Sequence, residues 1–221
     1  MRYVNIVIIL LLVNSCNQTD KEETNKKDAV TINKKTDSVS KKITRIDSAG
    51  LKEKDDTALL SLSNEILQSL KTKNYQQLTG FVHSKFGVRF SPYGYVDTLH
   101  DQTFVANELM SASKTQKKIH WGRYDGTGDP INLNLTKYFE KFVYDVDFLT
   151  AKQRSTNKAI SGGASLNNLQ AIYPGCDFTE FYFPGFDPKY GGMDWKALRL
   201  IFKKDNGKDY LVAIIHDQWR I

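Results

Sequence analysis

Trp195-Lys196-Ala197-Leu198-Arg199-Leu200-Ile201-Phe202-Lys203-Lys204-Asp205-Asn206-Gly207-Lys208-Asp209-Tyr210-Leu211-Val212-Ala213-Ile214-Ile215-His216 reads as a β-hairpin. Two runs rich in β-branched, aromatic and other apolar residues flank a polar turn with Asn-Gly at its centre. That dipeptide favours the left-handed backbone a tight hairpin turn needs. In the first run Leu198, Leu200 and Phe202 alternate with Arg199, Ile201 and Lys203, so one face should lie in the core and the other mostly in water. In the second run Leu211 to Ile215 are apolar throughout, the pattern of a central strand covered on both faces.

Working outward, Phe178 to Phe183 is a third strand of the same character. The chain before it is helical in pattern. Leu59, Leu60, Leu62, Ile66, Leu67 and Leu70 recur at helical spacing, ending near Thr72. Asn74 caps a short second helix carrying Tyr75, Leu78 and Val82. Thr103 to Met110 and Thr136 to Val143 read as further helices, and Leu166 to Ile172 as a helical turn or two. Gly87 to Phe90 and Lys118 to Arg123 look extended, and the polar, Gly-rich Gln153 to Ser165 reads as a loop. Helices first and an antiparallel sheet last make an α+β fold.

The other end of the chain carries an address. Arg2 is followed by an unbroken apolar run from Ile6 to Val13, far below the roughly 20 residues of a spanning helix. Leu12-Val13-Asn14-Ser15-Cys16 closes that run and resembles the lipobox of bacterial lipoproteins. The resemblance implies that residues 1–15 are a signal peptide and that Cys16 becomes the acylated first residue, carrying palmitate or a similar chain. The implied partner is the membrane, and the implied location is the cell envelope, facing the periplasm or displayed on the cell surface. Each buried CH₂ of an acyl chain contributes about 0.8 kcal/mol, so two or three chains anchor permanently. Residues 17–56 contain no aromatic residue and no Pro, only a monotonous polar and charged mixture. Such a segment should be a disordered tether, and about 40 flexible residues reach on the order of 35 Å. Lys21-Glu22-Glu23 resembles the acidic tag of surface-displayed lipoproteins. The composition then changes, and residues 57–221 should form one globular domain.

That domain holds 20 Lys/Arg against 16 Asp/Glu, with no basic stripe, so a nucleic-acid partner is not expected. With Cys16 acylated, Cys176 has no disulfide partner and reads as a small, partly buried apolar residue. The opening helices, with Lys73-Asn74-Tyr75-Gln76-Gln77-Leu78, and the terminal hairpin resemble the nuclear-transport-factor-2-like cone fold. That resemblance implies a curved antiparallel sheet wrapped around the first helices, with a pocket in its mouth. A second resemblance, to an uncharacterised family of exported bacterial proteins, rests on several strings. They are Gly87-Val88-Arg89-Phe90-Ser91-Pro92-Tyr93, His120-Trp121-Gly122 with Tyr124-Asp125-Gly126, Gly192-Met193-Asp194-Trp195 and Ile215-His216-Asp217-Gln218-Trp219. It brings no activity with it.

Asp125-Gly126-Thr127-Gly128-Asp129 starts like a calcium loop, but Pro130 and Thr136 stand where the EF-hand needs Gly and Glu. The four histidines (His83, His100, His120, His216) show no helical zinc spacing, so no metal and no cofactor are expected. Two readings of the domain follow. In the first, the aromatics Tyr93, Tyr95, Trp121, Tyr124, Trp195 and Trp219 line a non-catalytic site for a small molecule, a glycan or an envelope protein. In the second, a small hydrolase or isomerase uses His120 or His216 with Asp125 or Asp217 as an acid–base pair.

Overall fold

The structure is a computed structural model describing residues 48–161 and 168–219, with side chains from residue 56 onward. The expected signal peptide, Cys16 and the expected tether up to residue 47 lie outside the described residues. Helix α1 spans Ser48–Lys71, starting ahead of the boundary at 57 that composition suggests. Ala, Leu, Lys and Glu are good helix formers, so the helix can continue back into the polar segment. Leu59, Ser63, Ile66, Leu67, Ser69 and Leu70 are buried along it. Ser63 Oγ lies 2.8 Å from Leu59 O and 2.8 Å from Thr179 Oγ1, which ties the helix to a sheet strand. Helix α2, Tyr75–Thr79, starts where Asn74 Oδ1 accepts from the Gln77 N–H at 3.0 Å.

The strands are β1 (Val88–Ser91), β2 (Gln102–Phe104), β3 (Ile119–Arg123), β4 (Pro130–Leu133), β5 (Gln153–Thr156), β6 (Asp177–Phe183), β7 (Lys196–Asp205) and β8 (Lys208–Gln218). Six of them form one sheet in the order β2-β1-β8-β7-β6-β5, and β3 pairs with β4 separately. The six-stranded sheet is antiparallel except between β1 and β8, which run parallel. The β7–β8 hairpin turns at Asn206 and Gly207, whose φ angles of 50° and 78° fit the turn read from sequence. Helices α3 (Ala106–Ser113), α4 (Leu135–Phe142) and α5 (Leu169–Ile172) complete the fold. The result is one mixed α+β domain, and Ile46–Ile221 forms one compact unit.

Three expectations change. The face of β7 that should be wet is buried: Arg199 and Ile201 are each 1% exposed. The chain between β5 and β6 covers it, with Leu169, Ile172 and Tyr173 packing among Ile201, Val212, Ala213 and Ile215. The stretch from Gln153 is not all loop, because Gln153–Thr156 pairs with Thr179 to Tyr182 as the sheet's edge strand. Its polar composition suits an edge. The helix expected from Thr103 starts at Ala106 instead, since Gln102–Phe104 pairs with Val88 to Phe90.

The main core lies between α1, α4, the β3–β4 hairpin and the inner face of the sheet. Helix α4 shows the strongest amphipathic pattern, burying Leu135, Tyr138, Phe139 and Phe142 after an Asn134 cap whose Oδ1 accepts from the Lys137 N–H. Phe90 from β1 meets Trp121, Tyr138, Phe139 and Phe104 edge-on or tilted, and Trp121 stacks on Tyr138 at 3.7 Å.

Candidate functional site

Where β7 begins and β8 ends, the inner face of the sheet opens. A cavity of about 430 Å³ lies there, bounded by Tyr124, Phe142, Lys141, Asp145, Lys196 and Gln218. Helix α4 delivers Lys141 and Phe142, the chain just beyond it delivers Asp145, and the two strand ends supply Lys196 and Gln218. His216 sits behind this floor, wholly buried on the inner face of β8. Its Nδ1 is 3.2 Å from Pro92 O and its Nε2 is 3.3 Å from Asp145 Oδ2. Both ring nitrogens therefore lie within hydrogen-bond reach of an oxygen atom. The same Oδ2 forms an ion pair with Lys196 Nζ. Burial pushes the Asp145 carboxyl up, but His216 and Lys196 outweigh it and hold the group below the usual carboxylate range. Asp145 Oδ1 is buried and, among the described residues, takes no hydrogen bond.

The walls are aromatic and cationic. The Phe142 ring meets His216 edge-on at 6.1 Å and Tyr124 at 6.0 Å. Lys141 Nζ stands 4.6 Å over the Tyr124 ring, within cation–π range. Glu140 bridges Lys73 and Lys137 at 2.7 and 2.8 Å on the outer rim, and these two lysines lower its carboxyl to about 2.

His216 and Asp217 do not form a pair with each other. Successive strand residues point to opposite faces. Asp217 belongs to a buried ionic cluster under the outer cover, 3.3 Å from Arg199 Nη2, whose other carboxylate is Glu180 at 3.0 Å. The partner that the structure gives His216 is Asp145, 71 residues away in sequence. Spacing could not reveal it. His120 is exposed on β3, its Nδ1 3.2 Å from Asn132 Oδ1 across the hairpin. Asp125 is exposed in the following turn, and its backbone N–H donates to Tyr93 Oη at 3.1 Å.

The six aromatics divide. Tyr124 lines the cavity just described. Trp121 is fully buried, its Nε1–H donating to Leu133 O at 2.9 Å. Trp121, Tyr93 and Tyr95 border a smaller cavity of about 230 Å³, together with Asp97, His100 and Asp101. Trp195 packs on Tyr182 at 5.9 Å, and Trp219, 38% exposed, donates its backbone N–H to Trp195 O at 3.3 Å. Cys176 lies just before β6, half-buried, and burial pushes its thiol up, away from nucleophilic character. Among the described residues no group of three or more His, Cys, Asp or Glu is placed to hold a metal ion, and no helix is long and apolar enough to cross a membrane.

Compared with known proteins, the chain matches no protein-family model, no curated protein and no solved structure.

Proposed function

We propose that this chain is a lipid-anchored lipoprotein of the bacterial cell envelope whose domain binds a ligand without chemical turnover. The address is the signal-like run ending in Leu12-Val13-Asn14-Ser15-Cys16, and the anchor is an acylated Cys16. The domain is a cone of the nuclear-transport-factor-2-like kind. The early helix α1, pinned through Ser63 to Thr179 of β6 and packed in the inner core, supports this reading. So does the cavity at one end of the inner face.

The carrying observation is the state of the charged floor. Asp145, His216 and Lys196 already compensate one another, and His216 has both nitrogens engaged and no exposed surface. A floor whose charges are already paired orients a bound polar molecule or glycan between the Tyr124 and Phe142 rings rather than exchanging protons with it. The 3.3 Å contact of His216 Nε2 with Asp145 favours one other reading, a hydrolase or isomerase with that pair as acid and base.

A thermal-shift screen of small metabolites and oligosaccharides tests the proposal. A binder should raise the melting temperature in proportion to RT ln(1 + [L]/Kd). The shift should vanish in Tyr124→Ala and Lys196→Met, and the compound should be recovered unchanged. Conversion of the compound, lost in His216→Gln with the fold intact, would establish the enzyme reading instead.

A further inference from the structure

The sheet face opposite the mouth holds another cavity, and two positive side chains line it. Val88 and Phe90 point into the main core, so Arg89 between them points to the outer face. Lys203 follows the core residue Phe202 and is turned outward in the same way. β1 and β7 flank β8, so their backbones stand about 10 Å apart, a gap that two long side chains span. Between Arg89 and Lys203 lies a cavity of about 260 Å³. Val212 of β8 forms its floor, Ile172, Tyr173 and Pro174 border it from the covering segment, and Phe86 adds an aromatic side.

Charge selects the ligand. No Asp or Glu lines this cavity. Arg89 Nη1 donates to Asp101 O at 3.4 Å, and Lys203 Nζ stands 5.2 Å from the centre of the Phe86 ring. Neither contact removes a charge, and among the described residues neither cation forms an ion pair. Both charges reach the cover: Arg89 favours the charged form of the Tyr173 phenol and Lys203 that of the Cys176 thiol, each against burial. Lys85 Nζ, 5.7 Å from the same Phe86 ring, brings a third positive charge to the rim.

Two carboxyl groups stand near, and each is engaged elsewhere. Asp177 Oδ1 accepts from Asn157 Nδ2 at 2.8 Å and borders the adjoining cavity. Asp101 Oδ2 accepts from Ser91 Oγ–H and from the Asp97 N–H at 3.0 Å, on the side of the Trp121 cavity. Burial pushes the Asp101 carboxyl up to about 7, so its negative charge is incomplete at neutral pH and offsets Arg89 only in part.

We propose that this outer cavity binds a small organic carboxylate, its charged end held by Arg89 and Lys203 and its apolar body lying against Val212, Ile172 and Phe86. The guanidinium fork matches two carboxylate oxygens, and the ammonium group adds a point charge. Both side chains are half-buried, which withdraws them from water and strengthens their attraction for an anion. A bare inorganic anion would leave the apolar walls uncovered. The site is independent of the mouth cavity and of what that cavity binds.

Calorimetric titration of the full chain with phenylacetate tests this. Benzyl alcohol is the neutral control, benzylammonium the cationic one and inorganic phosphate the anion without an apolar body. The expected result is saturable binding of phenylacetate, at least about tenfold tighter than any control. Arg89→Met and Lys203→Met should each weaken it about tenfold, the effect of losing one charge-assisted hydrogen bond. Phe86→Ala, at a 48% exposed position, should weaken it as well. Lys203→Met and Phe86→Ala change side chains that reach solvent, so they keep the test informative if Arg89→Met unfolds. The mouth carries lysines of its own, and losses in these outer-face variants locate the binding here. No saturable heat at millimolar probe, a control bound as tightly as phenylacetate, or affinity unchanged in folded Arg89→Met, in Lys203→Met or in Phe86→Ala would overturn the proposal.

Discussion

Raising the pH from 5 to 8 should destabilise the folded chain through Asp101, and replacing that residue by Asn should remove the effect. The carboxyl moves from an ordinary 3.8 to about 7 on folding, chiefly because burial penalises its charged form. A group whose value is raised by folding stabilises fully below its unfolded value, and that contribution is lost as the pH rises through the folded one. Each unit is worth about 1.4 kcal/mol, so the part of the shift titrated between pH 5 and pH 8 amounts to about 2–3 kcal/mol. With its amide oxygen in the place of Asp101 Oδ2, asparagine accepts from both Ser91 Oγ–H and the Asp97 N–H, so the local bonds survive without the charge. The assay is urea unfolding of both proteins at pH 5, 6, 7 and 8, compared through extrapolated stabilities at matched m-values. Titrating groups far from Asp101 contribute equally to both proteins and cancel in the difference. The stability difference between the two proteins should shift by about 2–3 kcal/mol in favour of Asp101→Asn over that range. Parallel pH profiles would refute the assignment of a buried, proton-holding Asp101.

Other perturbations read other parts of the molecule. Asp145→Ala removes the common partner of His216 and Lys196 and should cost about 3–5 kcal/mol, toward the lower figure because Lys196 reaches solvent; chemical denaturation at neutral pH measures it. Folding lowers the Asp145 value, so its contribution is present above the unfolded value and is lost as acid brings the pH down through the folded one. The variant should therefore show a flatter acid limb. Trp121→Ala should cost about 3–5 kcal/mol, since it empties the fully buried centre of the Phe90–Tyr138 cluster. Tyr138→Phe should instead stabilise the protein by about 1 kcal/mol, because it removes a buried hydroxyl that has no partner among the described residues; the urea midpoint reports both. Gly207→Val, at φ 78°, should cost about 1–2 kcal/mol and lower the melting temperature by several degrees.

Local patterns carried the elements. Asn206-Gly207 marked the hairpin, Asn74 its helix cap, and the Leu/Ile spacing of α1 its buried stripe, because each depends on neighbours within one turn or strand. The edge strand Gln153–Thr156 was hidden because an edge exposes polar side chains and so looks like loop. Arg199 looked solvent-facing because nothing local shows that Glu180, Asp217 and a covering segment neutralise and bury it. The site was legible in parts. His216 and Tyr124 stood out by type, yet Asp145 and Lys196, which give the floor its charge, are distant in sequence and ordinary in context. Asp101 and Tyr138 were missed for the same reason: a carboxyl or phenol becomes unusual only when the fold buries it.

The most direct test of a binding domain is a ¹H–¹⁵N NMR titration with the compound that raises the melting temperature most. Binding at the mouth predicts shifts concentrated on Tyr124, Lys141, Phe142, Asp145, Lys196 and Gln218, with the compound intact at the end. Shifts centred elsewhere, or signals of a converted compound, would contradict the account.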